Sequence, residues 1–330
     1  MAAVAELACV SLSTVGRVIN ERGSVSDSKR RKVLEAARTL GLKRLLPSPL
    51  HGLLRFDLLI VDSHTDHFQK LSNAFSRQAQ IHRSRLVIQR LTWCENKPDQ
   101  LLDFIANPKT PRQGLIVVAH DTPLIRSALQ AEIDKGVAIV LLTSSLSGLE
   151  GATYVGINNR VAGRCAGRLL SRWAGHPTGQ VLLLTNSLLF HAHQERVNGF
   201  LEVLRDTAPE MVVSDPFQCF DDNDRAALAV KEVLASGKKI AAIYNTGGGS
   251  TGIYQALLQY DLRPVWIGHE ASLEHAQIMR KGLLSVVVDQ DADGQAEAAI
   301  QHLLFVSGDI EEPVNVNLQL RIVIDENLPA

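Results

Sequence analysis

Residues 11 to 20 read SLSTVGRVIN. Ser11, Ser13, Thr14, Arg17 and Asn20 are short or forked hydrogen-bonding groups set between Val15, Val18 and Ile19, which demand burial. On a helix this spacing packs one side down and leaves a row of donors and acceptors on the other. Such a row can recognise a hydrogen-bonding surface, and the base edges and phosphates of a duplex groove are one. A second group lies in IYNTGGGSTG, where Gly247, Gly249 and Gly252 satisfy GxGxxG, with Glu270 further on. This is the outline of a dinucleotide fingerprint. Alone it is a weak motif, and exposed N–H groups at a helix start equally suit an anionic or oxygen-rich ligand. HAHQE (His191, His193, Glu195) and HTDH (64–67) carry metal-ligand residue types without a remote partner and read as pocket or surface groups. HExxH and GKS/GKT do not occur. No catalytic residue, cofactor or metal is therefore expected.

The row of donors needs a small domain to hold it. AAVAELA predicts a first helix with Val4, Leu7 and Ala8 on one face, and CV a tight turn. Ser11 is placed to cap a second helix from about Leu12 to Asn20. After the loop ERGSVSD, Ser26 or Asp27 caps a third helix whose Val33, Ala37 and Leu40 face inward before Gly41 ends it. Two helices joined by so short a turn have the form of a helix-turn-helix, whose second helix enters the major groove. Charge agrees. Residues 1–46 hold nine Lys or Arg against four acids, leaving 25 bases against 31 acids in the rest of a chain whose net charge is −1. A basic segment joined to an acidic globular part is a nucleic-acid-binding arrangement.

The rest of the chain must hold a core. Its 330 residues are 45% apolar, enough for two or three domains. No apolar run approaches a membrane span, and residues 1–10 lack the basic start of a secretory signal. Cys9, Cys94, Cys165 and Cys219 are scattered, as in a reduced cytoplasmic protein. From Phe56 onward FDLLIV, RLVIQRL, GLIVVAH, VAIVLLT, QVLLLTN, MVVSD, KIAAIYN, PVWIGH and LLSVVVD alternate with amphipathic stretches. Continuous apolar strands joined by helices predict parallel sheets covered on both faces, an α/β fold, and the break at YVGINNRVAGRCAGRLLSRWAG begins a second lobe.

VAELACVSLSTVGRVINERGSVSDSKRRKVLEAARTLGL resembles the headpiece of the lactose-repressor/galactose-repressor family over about 40 residues. Cys9 stands where that family usually has Gly, Gly16 where it has Ser, and Leu42 where it has Tyr. The resemblance implies base reading by Leu12, Ser13 and Arg17, and phosphate contacts by Ser11, Thr14, Asn20, Ser26 and Arg30. It also implies a hinge helix in KRLLPSPLHGLLR with Leu50 as a minor-groove wedge. Pro47, Pro49 and Gly52 leave an extended linker open as the alternative. The expected organisation is a three-helix headpiece over 1–46, a linker over 47–55 and an effector domain over 56–330. Its lobes would span about 56–158 with 291–312, and about 159–290 with 313–330.

Residues 56 to 330 resemble, more loosely, the two-lobed type I periplasmic sugar-binding fold, in which ligands sit beyond the carboxyl ends of the strands. Strand ends then supply the candidate pocket. These are Asp66 and Phe68 after the first strand, Asp121 after the third, and Asn159 at the crossover. Arg196 stands where the family's Arg forks onto ligand oxygens. Asn245 and Thr246 fall where the family has an Asn-Asp pair, with Gly247 in place of the carboxylate. His269 falls where Asp is usual, and Gln290 follows Asp289. The function expected is a cytoplasmic, homodimeric transcriptional repressor that binds operator DNA and responds to a sugar, polyol or sugar derivative. The alternatives are a solute-binding protein of the same fold and a nucleotide-dependent enzyme using the GGGSTG loop.

Overall fold

The computed structural model describes residues 1–20, 24–40, 53–174, 179–312 and 315–328. Leu42, Pro47, Pro49, Leu50 and Gly52 lie outside the described residues, and with them the question of a hinge helix.

The N-terminal unit has three helices, α1 (Ala2–Leu7), α2 (Leu12–Ile19) and α3 (Asp27–Thr39). Val4, Ala8, Val15, Val18, Ile19, Val33, Leu34, Ala36 and Ala37 form its own core. Ser11 caps α2 from an extended backbone, its side chain accepting from the Thr14 N–H at 3.2 Å. Two expectations fail. Leu7 is 52% exposed, because α1 ends there and the buried pair is Val4 with Ala8, one turn on. Leu40 is 46% exposed, because α3 stops at Thr39 and the helical phase no longer holds. Cys9 makes the α1–α2 turn at φ +52°, in the left-handed region.

The first lobe contains β1 (Leu54–Val61), α4 (Asp66–Ile81), β2 (Leu86–Trp93), α5 (Pro98–Ala106), β3 (Gly114–Val117), α6 (Pro123–Asp134), β4 (Ala138–Leu142) and β5 (Ala152–Val155). Its strands run parallel in the order β2-β1-β3-β4-β5. The second lobe contains α7 (Asn159–Trp173), β6 (Gln180–Thr185), α8 (His191–Thr207), β7 (Val212–Val213), β8 (Phe217–Gln218), α9 (Asn223–Ala235), β9 (Ile240–Asn245), α10 (Ser250–Gln259), β10 (Val265–His269), α11 (Leu273–Arg280) and β11 (Val286–Asp289). α12 (Ala292–Val306) returns to the first lobe, where Ala296, Ala299, Ile300 and Leu303 join its core. β12 (Arg321–Val323) comes back to close the second sheet, antiparallel to β11, in the order β12-β11-β10-β9-β6-β7 with β8 beside β6. The chain thus passes between the lobes three times.

The strands are buried because helices cover both faces. β1, β3, β4, β6, β9, β10 and β11 are almost wholly inside, as their unbroken apolar runs demand. β2 is an edge strand and is buried only at its two end residues. Its carboxyl-terminal neighbours and those of the other strands converge on the gap between the lobes.

Candidate functional site

On the N-terminal unit, Leu12, Ser13 and Arg17 stand exposed on α2 above buried Val15, Val18 and Ile19. Ser11 and Asn20 sit at its two ends. Ser11 Oγ lies 2.9 Å from Ser13 Oγ and 2.8 Å from Thr14 Oγ1, and Asn20 Nδ2 donates to the Gly16 carbonyl at 2.9 Å. Ser26 is exposed just before α3 and Arg30 half-buried on it. A Cβ added at Gly16 would meet nothing within 4 Å, so no packing within the chain requires glycine there.

Between the lobes lies a cavity of about 620 Å³, within the size range of small-molecule sites. Arg196, on α8, is the buried hub of its wall. Its Nε donates to Asn159 Oδ1 at 2.8 Å, Nη1 to the Thr246 carbonyl at 2.8 Å, and Nη2 to Gln290 Oε1 at 2.5 Å. Two of its five N–H groups remain for a ligand. Glycines bring the arginine there: a Cβ at Gly163 of α7 would lie 2.0 Å from the Arg196 carbonyl oxygen, and one at Gly199 2.1 Å from that of Arg160. Without side chains at those points α7 and α8 touch through their backbones. His269 Nε2 lies 3.0 Å from the Tyr244 hydroxyl, while buried Nδ1 has no partner. Burial, then the Arg196 charge, holds His269 well below the usual histidine range, so the ring is neutral. The same two causes keep His193 neutral, hydrogen-bonded to Thr246 Oγ1 at 2.8 Å.

A tie crosses the gap. Glu270 follows β10 at φ +76° and accepts from His67 Nδ1 at 3.0 Å and Lys70 Nζ at 2.8 Å, both on α4 of the other lobe. Burial opposes its charge, but the His67 hydrogen bond and the charges of His67 and Lys70 prevail and hold its carboxyl well below the usual range. Lys70 also reaches the Ala271 carbonyl and lies 3.7 Å from Asp289 Oδ1. Asp221, at φ +55°, accepts from the Gly248 N–H at 2.6 Å and from Asn186 Nδ2 at 2.9 Å. Burial, with the Glu95 charge adding to it, pushes the Asp221 carboxyl up to about 6.

Of the residues expected from strand ends, Asp66, Phe68, Arg196, Thr246, His269 and Gln290 line the cavity. Asp121, Asn159 and Asn245 do not, because their polar groups are engaged inside the protein. Asp121 binds Arg126 and the Ser147 N–H. Asn159 Nδ2 donates to the Thr143 carbonyl and the Tyr154 hydroxyl, and its oxygen steadies Arg196. Asn245 folds its own loop, bonding Gly248 and Gly247. His67, Glu95, Asn186 and Asp221 line the cavity without having been expected there. Asn186 and Glu270 directly follow β6 and β10, so the strand-end rule could have found them.

The glycine loop serves packing. Gly249 precedes α10 at φ +84°, a Cβ at Gly252 would lie 1.8 Å from the Asn223 carbonyl oxygen of α9, and one at Gly247 2.7 Å from Asp221 Oδ1. Glu270 is bound by His67 and Lys70. Among the described residues no three His, Cys, Asp or Glu side chains form a metal-binding group, and no helix is long and apolar enough to cross a membrane.

Comparison with known proteins agrees with this architecture. Residues 1–44 match the bacterial regulatory proteins of the lacI family, and residues 99–307 match the periplasmic binding protein domain. A ribose operon repressor from Haemophilus influenzae is 24% identical over 272 residues, which is 79% of this chain and 77% of that protein. A glucose-galactose binding protein from Geobacillus stearothermophilus shares the fold with a TM-score of 0.75 and 19% identity, covering 85% of this chain and all (100%) of that one. A Caulobacter myo-inositol binding protein, solved bound to myo-inositol, superposes with a TM-score of 0.72 and 18% identity, over 86% of this chain and 97% of that one. The chain therefore belongs to the periplasmic binding protein domain family over its larger part, and carries at its N-terminus a domain of the lacI family of bacterial regulatory proteins.

Proposed function

We propose that the protein is a homodimeric, cytoplasmic repressor whose hold on operator DNA is set by a polyhydroxylated ligand, a sugar, polyol or derivative, bound between its lobes. It acts by binding alone and changes no covalent bond. Residues 1–46 are its DNA-binding unit, 47–55 a linker and 56–330 the effector domain, divided into lobes of about 56–158 with 291–312 and about 159–290 with 313–330. Leu12, Ser13 and Arg17 read base edges, while Ser11, Thr14, Asn20, Ser26 and Arg30 meet phosphates, and Leu50 enters the minor groove. Asp66, Phe68, Arg196, Thr246, His269 and Gln290 contact the ligand.

One observation carries this reading. A single chain joins a capped helix, apolar beneath and polar above, to a two-lobed cleft whose wall presents neutral histidines, amides and a buried guanidinium. Convergent donors and acceptors with Phe68 and Phe190 beside them suit a molecule with hydroxyls on its edges and C–H groups on its faces. The ribose operon repressor and the two sugar- and polyol-binding relatives support the same class of ligand. Exposed Ile81 and Val87 on the first lobe, and Leu228 and Leu258 on the second, offer apolar surface for a twofold partner.

Selection from random duplexes is the test for DNA. The expected outcome is one near-palindromic sequence, bound with an affinity that falls by orders of magnitude between about 50 and 200 mM salt. Arg17→Ala should cost roughly 1–3 kcal/mol on that site and relax its base preference. No enriched sequence, or a flat salt response, would overturn the assignment.

A further inference from the structure

The cleft wall offers two kinds of chemistry. Around Arg196 it presents donors. In another part of it Glu95 and Asp221 are drawn to a single amide, Asn186 Nδ2 donating to Asp221 Oδ2 at 2.9 Å and to Glu95 Oε1 at 3.4 Å. These two bonds settle which way the amide points, since the reverse would set its oxygen against two carboxylates. Asn186 Oδ1 is then left without a partner, in a residue 2% exposed. Buried polar atoms are nearly always satisfied, so an orphan in a cavity wall marks where something binds. Glu95, Asp221 and Asn186 all line the cavity.

The cations nearby hydrogen-bond other groups, although the charges of His67 and Arg196 still bear on Asp221. Arg196 is engaged with Asn159, Thr246 and Gln290, and His67 and Lys70 with Glu270. His120 Nε2 lies 3.4 Å from Glu95 Oε2. Among the described residues neither Glu95 nor Asp221 is ion-paired to Lys or Arg. Two carboxylates and the Asn186 amide thus line the cavity with too few donors, and the bare backbone at Gly247 leaves room beside them.

We infer that the Glu95–Asp221 part of the cleft binds a protonated amine, so that the effector is an amine-bearing polyol such as an amino sugar. An ammonium group brings three donors and one positive charge. It would satisfy Asn186 Oδ1, bridge Glu95 and Asp221, and relieve the repulsion that helps raise the Asp221 carboxyl to about 6. A phosphorylated or acidic sugar would meet the same groups as like charge. The inference rests on the proposal that the cleft is the effector site, and deepens it.

The test is titration calorimetry of the full chain at neutral pH with D-glucosamine and D-galactosamine, against D-glucose, D-galactose and the two N-acetylated amino sugars. At least one amine form should bind roughly tenfold or more tighter than both its hydroxyl parent and its acetylated form. Asp221→Asn should bring that ratio close to one, and if this variant does not fold, Glu95→Gln should do the same. A parent or acetylated sugar binding as tightly as its amine would overturn the amine inference and leave the sugar-responsive reading standing. Binding by none of the six would count against both.

Discussion

Arg196 and Asp221 carry opposite charges in one cleft, and burial acts on them differently. Arg196 is held by three acceptors, and removing it strands Asn159 Oδ1, the Thr246 carbonyl and Gln290 Oε1 in the interior. Arg196→Ala should therefore cost about 2–4 kcal/mol of stability, read in urea melts, and abolish any ligand-induced thermal shift. Unchanged stability would mean that the three acceptors find other donors. Asp221 behaves in the reverse way. Its carboxyl titrates at about 6 in the folded protein against 3.8 in the unfolded chain, so the folded state binds more protons between those values. The stability this group contributes is present below about pH 4 and is lost as pH rises towards 6. Glu95 adds to the effect; His67 and Arg196, the other charged groups bearing on it, oppose it. Asp221→Asn should thus raise the melting temperature of the ligand-free protein at pH 7, with the gain shrinking as pH falls from about 6 to 4. A variant less stable than the parent at pH 7 would show that the Gly248 and Asn186 hydrogen bonds outweigh the burial of charge.

At the scale of elements, the turn between α1 and α2 holds Cys9 at φ +52°, where a side chain is strained and glycine is not. Cys9→Gly should stabilise the headpiece by roughly 0.5–1 kcal/mol, the relief of strain being partly offset by a freer unfolded chain. Hydrogen exchange of the α1 and α2 amides in the full protein measures it, and unchanged protection would contradict it. Elements of this kind were largely legible in the sequence. Val15, Val18 and Ile19 fall on one helical face by spacing alone, and Ser11 has the side chain a cap requires. The long strands were legible because each is buried on both sides and so reads as an unbroken apolar run. β8 and β12, of two and three residues, are too short for any period to emerge, and β5 is only partly buried and so shows no apolar run. The cleft was half legible. A strand end brings a residue to the right end of a sheet but does not say whether its side chain turns to the gap or back to the protein, and Asp121, Asn159 and Asn245 turned back. Asp221 follows the two-residue β8, so nothing local announced it. His67 and Glu270 are 203 residues apart in sequence, and their pairing exists only once both lobes are formed.

For the whole molecule, the question is how a ligand in the cleft reaches DNA held by another part of the chain. A ligand shifts an equilibrium only by binding one arrangement better than another, and the coupling is reciprocal. Here the arrangement in question is how the lobes meet, and the ties between them include Glu270 with His67 and Lys70, Lys70 with Asp289, Asn186 with Glu95, Ser144 with Ala192, Ser145 with His191 and Asp121 with Leu189. Lys70 is the informative one to remove. Its side chain is 38% exposed, it does not line the cavity, and it serves only to hold the second lobe through Glu270, Ala271 and Asp289. A pair this exposed contributes modestly, so Lys70→Met should weaken the closed arrangement and lower ligand affinity about two- to fivefold. If closure is what the DNA-binding unit senses, the operator affinity of the ligand-free protein must shift in the same experiment. The shift is towards tighter binding if ligand releases DNA and towards weaker binding if ligand recruits it, because in both cases the variant favours the open arrangement. Calorimetry for the ligand and fluorescence anisotropy for the operator, on the same preparation, give the two numbers. Ligand affinity that moves while operator affinity stays fixed would separate lobe closure from DNA binding, and the signal would then have to run through some element other than these ties.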